Sequence, residues 1–140
     1  MMKFLFIITL FSISFINARA SDCDGAQEGS LQQIICEAVQ NGYINKGEYN
    51  CEWIAPGPKK EYCEGFRDGL AGKCAGISEE IKSDVCLAVH YAKNGTCSST
   101  TMGNQRKLCD GFLNGKEKNC QGLEAGLQKY FCEAVANYVN

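Results

Sequence analysis

The chain contains five stretches in which apolar residues recur at steps of three or four positions. In the most apolar of them these residues are Leu31, Ile34 and Ile35, then Ile77, Ile81 and Val85, and finally Leu123, Leu127, Tyr130 and Phe131. This spacing places apolar side chains on one face of an α-helix, whereas a half-buried strand alternates at every second position. The pattern predicts helices near residues 29–41, 58–71, 78–94, 102–117 and 122–138.

Residues typical of helix ends flank several of these stretches. Ser30 and Ser78 are expected N-caps, because a serine hydroxyl accepts a hydrogen bond from a free backbone N–H of the first turn. Asn41-Gly42 and Asn94-Gly95 are expected helix stops, because both residue types tolerate the left-handed conformation of a C-cap.

A cysteine is built into each helix at the same place. Cys36, Cys86 and Cys132 are each followed by a residue and then Ala-Val, whereas Cys63 and Cys109 are followed by an acidic residue and Gly-Phe. The two types alternate along the chain, and from Cys63 onward the cysteines are separated alternately by 11 and 12 positions. Internal repetition of this size is typical of a helical array.

The second helix type carries two glycines four positions apart, Gly65 and Gly69 in one copy and Gly111 and Gly115 in the other. A glycine inside a helix costs about 1 kcal/mol relative to alanine, so its recurrence predicts a close approach of another helix. The fold class that follows is all-α, with disulfide-stapled helical hairpin repeats in the order A-B-A-B-A. About five helices are expected, stacked as a short solenoid or a compact bundle, with antiparallel neighbours.

The ten cysteines indicate five disulfides in an oxidising compartment. No C-x-x-C pair occurs and there is one histidine, so neither a metal site nor a cofactor is expected. Sequence leaves many pairings open. Joining each loop cysteine to the next helix cysteine uses all ten cysteines. Joining each helix cysteine to the next loop cysteine instead leaves Cys23 and Cys132 unpaired. The preferred pairs are Cys23–Cys36, Cys51–Cys63, Cys74–Cys86, Cys97–Cys109 and Cys120–Cys132.

Residues 1–20 have the features of a cleaved signal peptide. Lys3 precedes a short apolar run, and Ala18-Arg19-Ala20 is a small-x-small cleavage site. Residues 21–140 are then expected to form a single cysteine-rich helical domain, secreted or periplasmic, with no stable membrane insertion. Without Lys3 and Arg19 the chain has 12 basic and 16 acidic residues, a net charge of −4. That balance argues against nucleic acid as a partner.

One connection breaks the repeat. Cys36 and Cys51 are 15 positions apart, whereas Cys86 and Cys97 are 11 apart. The longer segment brings in Tyr43 and Tyr49, and Trp53 follows it. Insertions in helical repeats often carry a binding surface, and Tyr and Trp are favoured interface anchors. These three aromatic residues are the candidate binding residues; the alternative is that Trp53 fills the core of the first helical pair.

Candidate catalytic groups are few. His90 is the one histidine, and the sequence has no G-x-S-x-G element whose serine it could activate. Two acids can support glycoside hydrolysis when suitably spaced, and Glu64 with Asp68, or Glu79 with Asp84, could form such a pair. Acids after a repeat cysteine, however, recur at the same repeat position, which favours a surface role. Asn94-Gly95-Thr96 also forms an N-glycosylation sequon, relevant to a eukaryotic producer.

The sequence therefore favours an exported, non-catalytic protein that binds another protein or a surface ligand, with no catalytic residue assigned. The segment from Cys63 to Gly69 resembles the Cys-x-Gly-aromatic segment of small exported Tai-type immunity proteins. That resemblance implies one alternative, an inhibitor that blocks a toxin-like enzyme. A small glycan hydrolase and a lipid carrier with an apolar cavity are further alternatives.

Overall fold

A computed structural model describes residues 23–139, so the expected signal peptide lies outside the described residues. This part of the chain is all-α, as the apolar pattern predicts. It contains five α-helices and two short 3₁₀ turns, Cys51–Trp53 and Cys97–Ser99. The helices are α1 (Leu31–Ile44), α2 (Pro58–Ala71), α3 (Glu80–Lys93), α4 (Asn104–Lys116) and α5 (Leu127–Tyr138).

Local chemistry explains some of the helix ends. The Ser30 hydroxyl accepts a hydrogen bond from the Gln33 N–H at 3.2 Å, so the prediction of this N-cap is confirmed. Ser78 is not a cap, since its hydroxyl donates instead to the carboxylate of Glu79, which occupies the N-cap position. The stop expected at Asn41-Gly42 is also wrong, because α1 continues to Ile44 and ends at Asn45 in the left-handed conformation.

Neighbouring helices run in the same direction. Beside α3, Gly65 lies against Lys82 and Val85, and one turn later Gly69 lies against Cys86 and Val89. The contacts between α4 and α5 also move toward the C-terminus of both helices together, with Gly111 against Gln128 and Gly115 against Cys132. Contacts of Glu37 with Lys59 and of Gly42 with Cys63 give the same direction for α1 and α2. The expectation of antiparallel neighbours from the connection lengths is therefore wrong for these described helices.

The connections are long enough to return along a helix. Residues 72–79 join α2 to α3, and eight extended residues span about 26 Å. A 14-residue helix such as α3 is about 21 Å long. Each repeat of the chain is therefore one returning connection followed by one helix, rather than two antiparallel helices.

Each disulfide ties the segment that precedes a helix to the middle of that helix. The Cα atoms of the bonded cysteines are 5.6 or 5.7 Å apart. The pairs are those that the spacing favours, namely Cys23–Cys36, Cys51–Cys63, Cys74–Cys86, Cys97–Cys109 and Cys120–Cys132. The connecting segments are rich in polar residues and offer few apolar contacts to the helices. The bridges therefore hold each of these segments against its helix.

The five helices close into a bundle. Each helix packs on its neighbours in the chain, and α5 also packs on α1. Ring closure distinguishes the compact bundle from the open solenoid, the two forms that the sequence left open. Phe66 is fully buried in the core, with ring centroids 6.1 Å from Phe112 and 5.9 Å from Phe131.

Glycines set the closest helix pairs. A Cβ atom built on Gly65 would lie 2.7 Å from the Lys82 carbonyl oxygen, and one on Gly69 would lie 2.7 Å from that of Cys86. Gly111 and Gly115 approach α5 in the same way, at 2.7 and 2.6 Å. The close approach predicted from the repeated glycines is therefore confirmed.

Candidate binding surface

Trp53 is the most exposed aromatic side chain at the candidate surface. Its side chain is 78 % exposed at the end of the first 3₁₀ turn. The alternative in which Trp53 fills the core of the first helical pair is therefore wrong. That space is occupied by Ala38 and the Cys51–Cys63 bridge, with Ile54 and Tyr62 packed against them.

The turn that carries Trp53 is held at several points. The Asn50 side chain caps it by accepting a hydrogen bond from the Glu52 N–H at 3.0 Å. The Trp53 N–H donates to the Asn50 carbonyl at 3.2 Å. Cys51 is fully buried and bonded to Cys63 in the middle of α2. The exposed indole is thus presented from a backbone that is fixed on both sides, which lowers the entropy lost when it is immobilised by a partner.

Tyr43 and Tyr49 lie on the same connection but differ in exposure. Tyr43 is in the last turn of α1 and is 39 % exposed. Tyr49 is partly buried and forms a bridge with Lys46 across the tight turn at Gly47. Among residues 23–139, no ring contact joins these tyrosines to Trp53. Their role in binding remains a prediction.

Charged side chains join the Trp53 turn to α2 and α3. Arg67 lies 3.8 Å from the carboxylate of Glu52 and donates to Asp68 at 3.0 Å. Lys82 on α3 lies 3.0 Å from a Glu64 oxygen and 3.7 Å from an Asp68 oxygen. A continuous row of alternating charge therefore crosses the close α2–α3 contact beneath the turn.

The acidic pair Glu64 and Asp68 has a structural partner. The hydrogen bond that the Lys82 ammonium donates to the Glu64 carboxylate raises the pKa of Lys82, and the negative charges of Glu64 and Asp68 also raise it, against the effect of desolvation. Both carboxylates are thus engaged in holding α2 to α3. For Glu64, this arrangement is the surface role that its position after a repeat cysteine suggests.

The acids of the other candidate pair lie in different environments. Burial raises the pKa of Asp84, opposed by a hydrogen bond that its carboxylate accepts from the buried Gln105 amide at 3.4 Å. Hydrogen bonds from its own backbone N–H and from the Ser78 hydroxyl lower the pKa of the exposed Glu79. Burial likewise raises the pKa of Tyr62, with Asp84 contributing.

We expect Lys82→Met to lower the free energy of unfolding by about 1 kcal/mol at neutral pH, because it removes the cation that Glu64 and Asp68 share across the α2–α3 contact. A raised pKa in the folded state means that this stabilisation is complete below the ordinary lysine pKa and is lost as the pH rises through the folded-state value. Urea unfolding of both proteins at pH 7 and at alkaline pH measures it. A difference that is equally large at both pH values would contradict the electrostatic origin.

His90 lies in the last turn of α3. Its ring is 5.6 Å from that of Tyr91, and its backbone carbonyl accepts a hydrogen bond from the Asn94 side chain at 3.0 Å. The stop at Asn94-Gly95 is confirmed, since α3 ends at Lys93. Within residues 23–139, no group of three or more His, Cys, Asp and Glu residues is placed to hold a metal ion.

Comparison with protein-family models, with curated proteins and with solved structures gives no match to this chain. Across residues 23–139, none of the helices has the length and apolar character required to cross a bilayer. Five disulfides fit an oxidising compartment.

Proposed function

We propose that this chain is a secreted or periplasmic, non-catalytic binding protein that recognises another protein through its Trp53 turn. The observation that carries the proposal is the 78 % exposure of the single tryptophan. Fully exposing so large an apolar ring in water is unfavourable, by about 25 cal/mol for each Å² of apolar surface. A partner that covers the ring recovers this free energy.

The support of the turn strengthens the proposal. Interfaces owe most of their affinity to a few well-placed anchors, with Trp and Tyr prominent among them. Here the anchor lies two residues after a buried disulfide cysteine and directly before Ile54, which packs inward. Tyr43 and Tyr49, on the preceding segment, are the proposed flanking contacts.

We expect Trp53→Ala to weaken partner binding about 30-fold or more, the effect typical of an interface hot spot. The melting temperature should hardly change, because the side chain makes few contacts within the bundle. A partner is first captured from the extracellular or periplasmic fraction of the producing cell. Its affinity for each variant is then measured by surface plasmon resonance.

Met102→Ala is the matched control. Met102 is 83 % exposed on the connection before α4, the later copy of the connection that carries Trp53. This variant removes a similarly exposed apolar side chain and should bind as the wild type does. Equal affinity of the wild type and Trp53→Ala, or equal losses in both variants, would contradict the proposal.

A further inference from the structure

The segment that follows α3 contains the one Asn-x-Thr sequence of the chain, Asn94-Gly95-Thr96. Asn94, Gly95 and Thr96 are all exposed. Gly95 has a φ of 67°, and a Cβ atom built on it would meet no atom within 4 Å. The segment therefore lies at the surface, with open space beside its middle residue.

Two other helices within residues 23–139 end in the same way as α3. In each, a residue with positive φ is followed by a residue whose backbone N–H donates to the carbonyl five positions earlier, which is the Schellman arrangement. This donor is Thr96 after α3, Lys73 after α2 and Asn119 after α4, at 3.0, 2.9 and 2.8 Å. The helix end therefore does not require a hydroxyl residue at this position.

The helix end does not require an asparagine either. The position of Asn94, directly before the residue with positive φ, is occupied by Ala71 after α2 and by Glu117 after α4. The Asn94 side chain donates to the His90 carbonyl at 3.0 Å and the Thr96 hydroxyl donates to the Tyr91 carbonyl at 3.2 Å, but both bonds are exposed. Backbone geometry thus leaves the combination of asparagine and threonine unexplained.

We propose that Asn94 carries an N-linked glycan. An Asn-x-Thr sequence whose middle residue is not proline is the acceptor of this modification in exported proteins. The attached glycan is bulky and must lie at the surface, as Asn94 does. The five disulfides fit the oxidising lumen in which such chains mature. The proposal does not depend on the role of the Trp53 turn.

The side-chain amide nitrogen of Asn94 is the nucleophile in the transfer. The donor is a lipid-linked oligosaccharide diphosphate, which the producing cell supplies together with the transferase. The bond between the anomeric carbon of the first sugar and the diphosphate oxygen breaks, and a bond from that carbon to Nδ2 of Asn94 forms. The lipid diphosphate leaves, and one amide proton is released. The substituted amide keeps one N–H, so it can still donate to a carbonyl such as that of His90.

Mass spectrometry of the protein secreted by its own producing cell tests the proposal. An amidase that releases N-linked glycans should lower the mass of the chain by that of one glycan. When the release is carried out in water that contains a heavy oxygen isotope, peptide mapping should find the labelled aspartate at position 94 and at no other position. An unmodified Asn94 in the secreted protein, or a glycan on other residues only, would overturn the proposal.

Variants produced in the same cell separate the acceptor from the helix end. Asn94→Gln and Thr96→Val should each abolish the glycan, whereas Thr96→Ser should retain it in part or in full, because serine also provides the hydroxyl that the acceptor needs. Asn119→Gln is the matched control. Asn119 is an exposed asparagine at the corresponding end of α4 with no Ser or Thr two positions later, so this variant should keep the glycan.

A variant that fails to fold still decides the question, because the glycan is then measured on the protein retained inside the cell. Circular dichroism of the secreted variants establishes which of them are folded. Full glycosylation of Thr96→Val, or loss of the glycan from Asn119→Gln, would contradict Asn94 as the acceptor.

Discussion

Reduction of the five disulfides should unfold the bundle at room temperature. A strong reductant that remains active at neutral pH, such as a water-soluble phosphine, should remove most of the helical circular dichroism and the cooperative thermal transition. The oxidised protein, treated in the same way without reductant, should keep both. This is the largest single change in stability that we expect for the molecule.

The reason lies in the size of the bridges relative to the net stability of a small domain. The bonded cysteines are 12 or 13 positions apart, and closing a loop of this size contributes about 3 kcal/mol in the chain-entropy description. The net stability of a domain is about 5–15 kcal/mol. Loss of all five bridges therefore removes as much free energy as the fold has in reserve.

Burial of the cysteines predicts the order of reduction. Cys51 and Cys63 are both fully buried, whereas Cys74 and Cys120 are partly exposed. The bridges Cys74–Cys86 and Cys120–Cys132 should be reduced first, as thiol alkylation followed by peptide mapping would show. Helix content and melting temperature that stay unchanged after complete reduction would contradict the role given to the bridges.

Gly69→Ala and Gly115→Ala should each lower the free energy of unfolding by about 2 kcal/mol. Alanine is more favourable than glycine inside a helix by about 1 kcal/mol, so helix propensity alone would make both substitutions stabilising. At these positions the added Cβ would meet a backbone carbonyl of the next helix at 2.7 and 2.6 Å, and a valine Cβ at 2.8 and 2.7 Å. The helices must separate, and overpacking of this kind typically costs 1–3 kcal/mol or more.

Gly25→Ala is the control for this prediction. Gly25 has no atom within 4 Å of a built Cβ and no positive φ, so the substitution should have little effect. Chemical unfolding of the three variants and the wild type under oxidising conditions measures the differences. Stabilisation by Gly69→Ala or Gly115→Ala would show that α2 and α4 do not approach their neighbours as closely as described.

The sequence predicts the existence of the helices better than their exact ends and their arrangement. The two Asn-Gly pairs show why the ends are hard to predict. Asn94-Gly95 ends α3, whereas Gly42 lies inside α1, where its missing side chain allows the Cys63 carbonyl to approach. Both roles favour glycine, and local sequence does not distinguish them. Tertiary contact decides which one applies.

Helix direction is also beyond the reach of the local pattern. A connection of eight or more residues can either turn sharply or return along a helix, and both satisfy the same cysteine spacing. Closure of α5 onto α1 depends on the rotation from each helix to the next, which the period of the repeat does not specify. The parallel arrangement also brings the C-terminal ends of the helices together, where Leu70, Lys93, Lys116 and Val139 line one cleft. The local sequence does not predict this grouping, because these residues are far apart along the chain.

A break in the repeat, rather than any motif, indicates the candidate binding residues. The longer step from Cys36 to Cys51 identified the segment, but the sequence did not show whether Trp53 faces the core or the solvent. Its exposure follows from the filling of the adjacent core by the Cys51–Cys63 bridge, Ile54 and Tyr62. Exposure of this kind is a property of packing and could be learned only from the fold.

The most direct measurement is site-specific photocrosslinking of the mature, oxidised protein to its partner. A photoreactive phenylalanine derivative is placed at position 53 in one protein and at position 102 in another, since both sites are highly exposed. In the extracellular or periplasmic fraction of the producing cell, we expect one discrete covalent adduct from position 53 and none from position 102. No adduct from position 53, or the same adducts from both positions, would contradict recognition through the Trp53 turn.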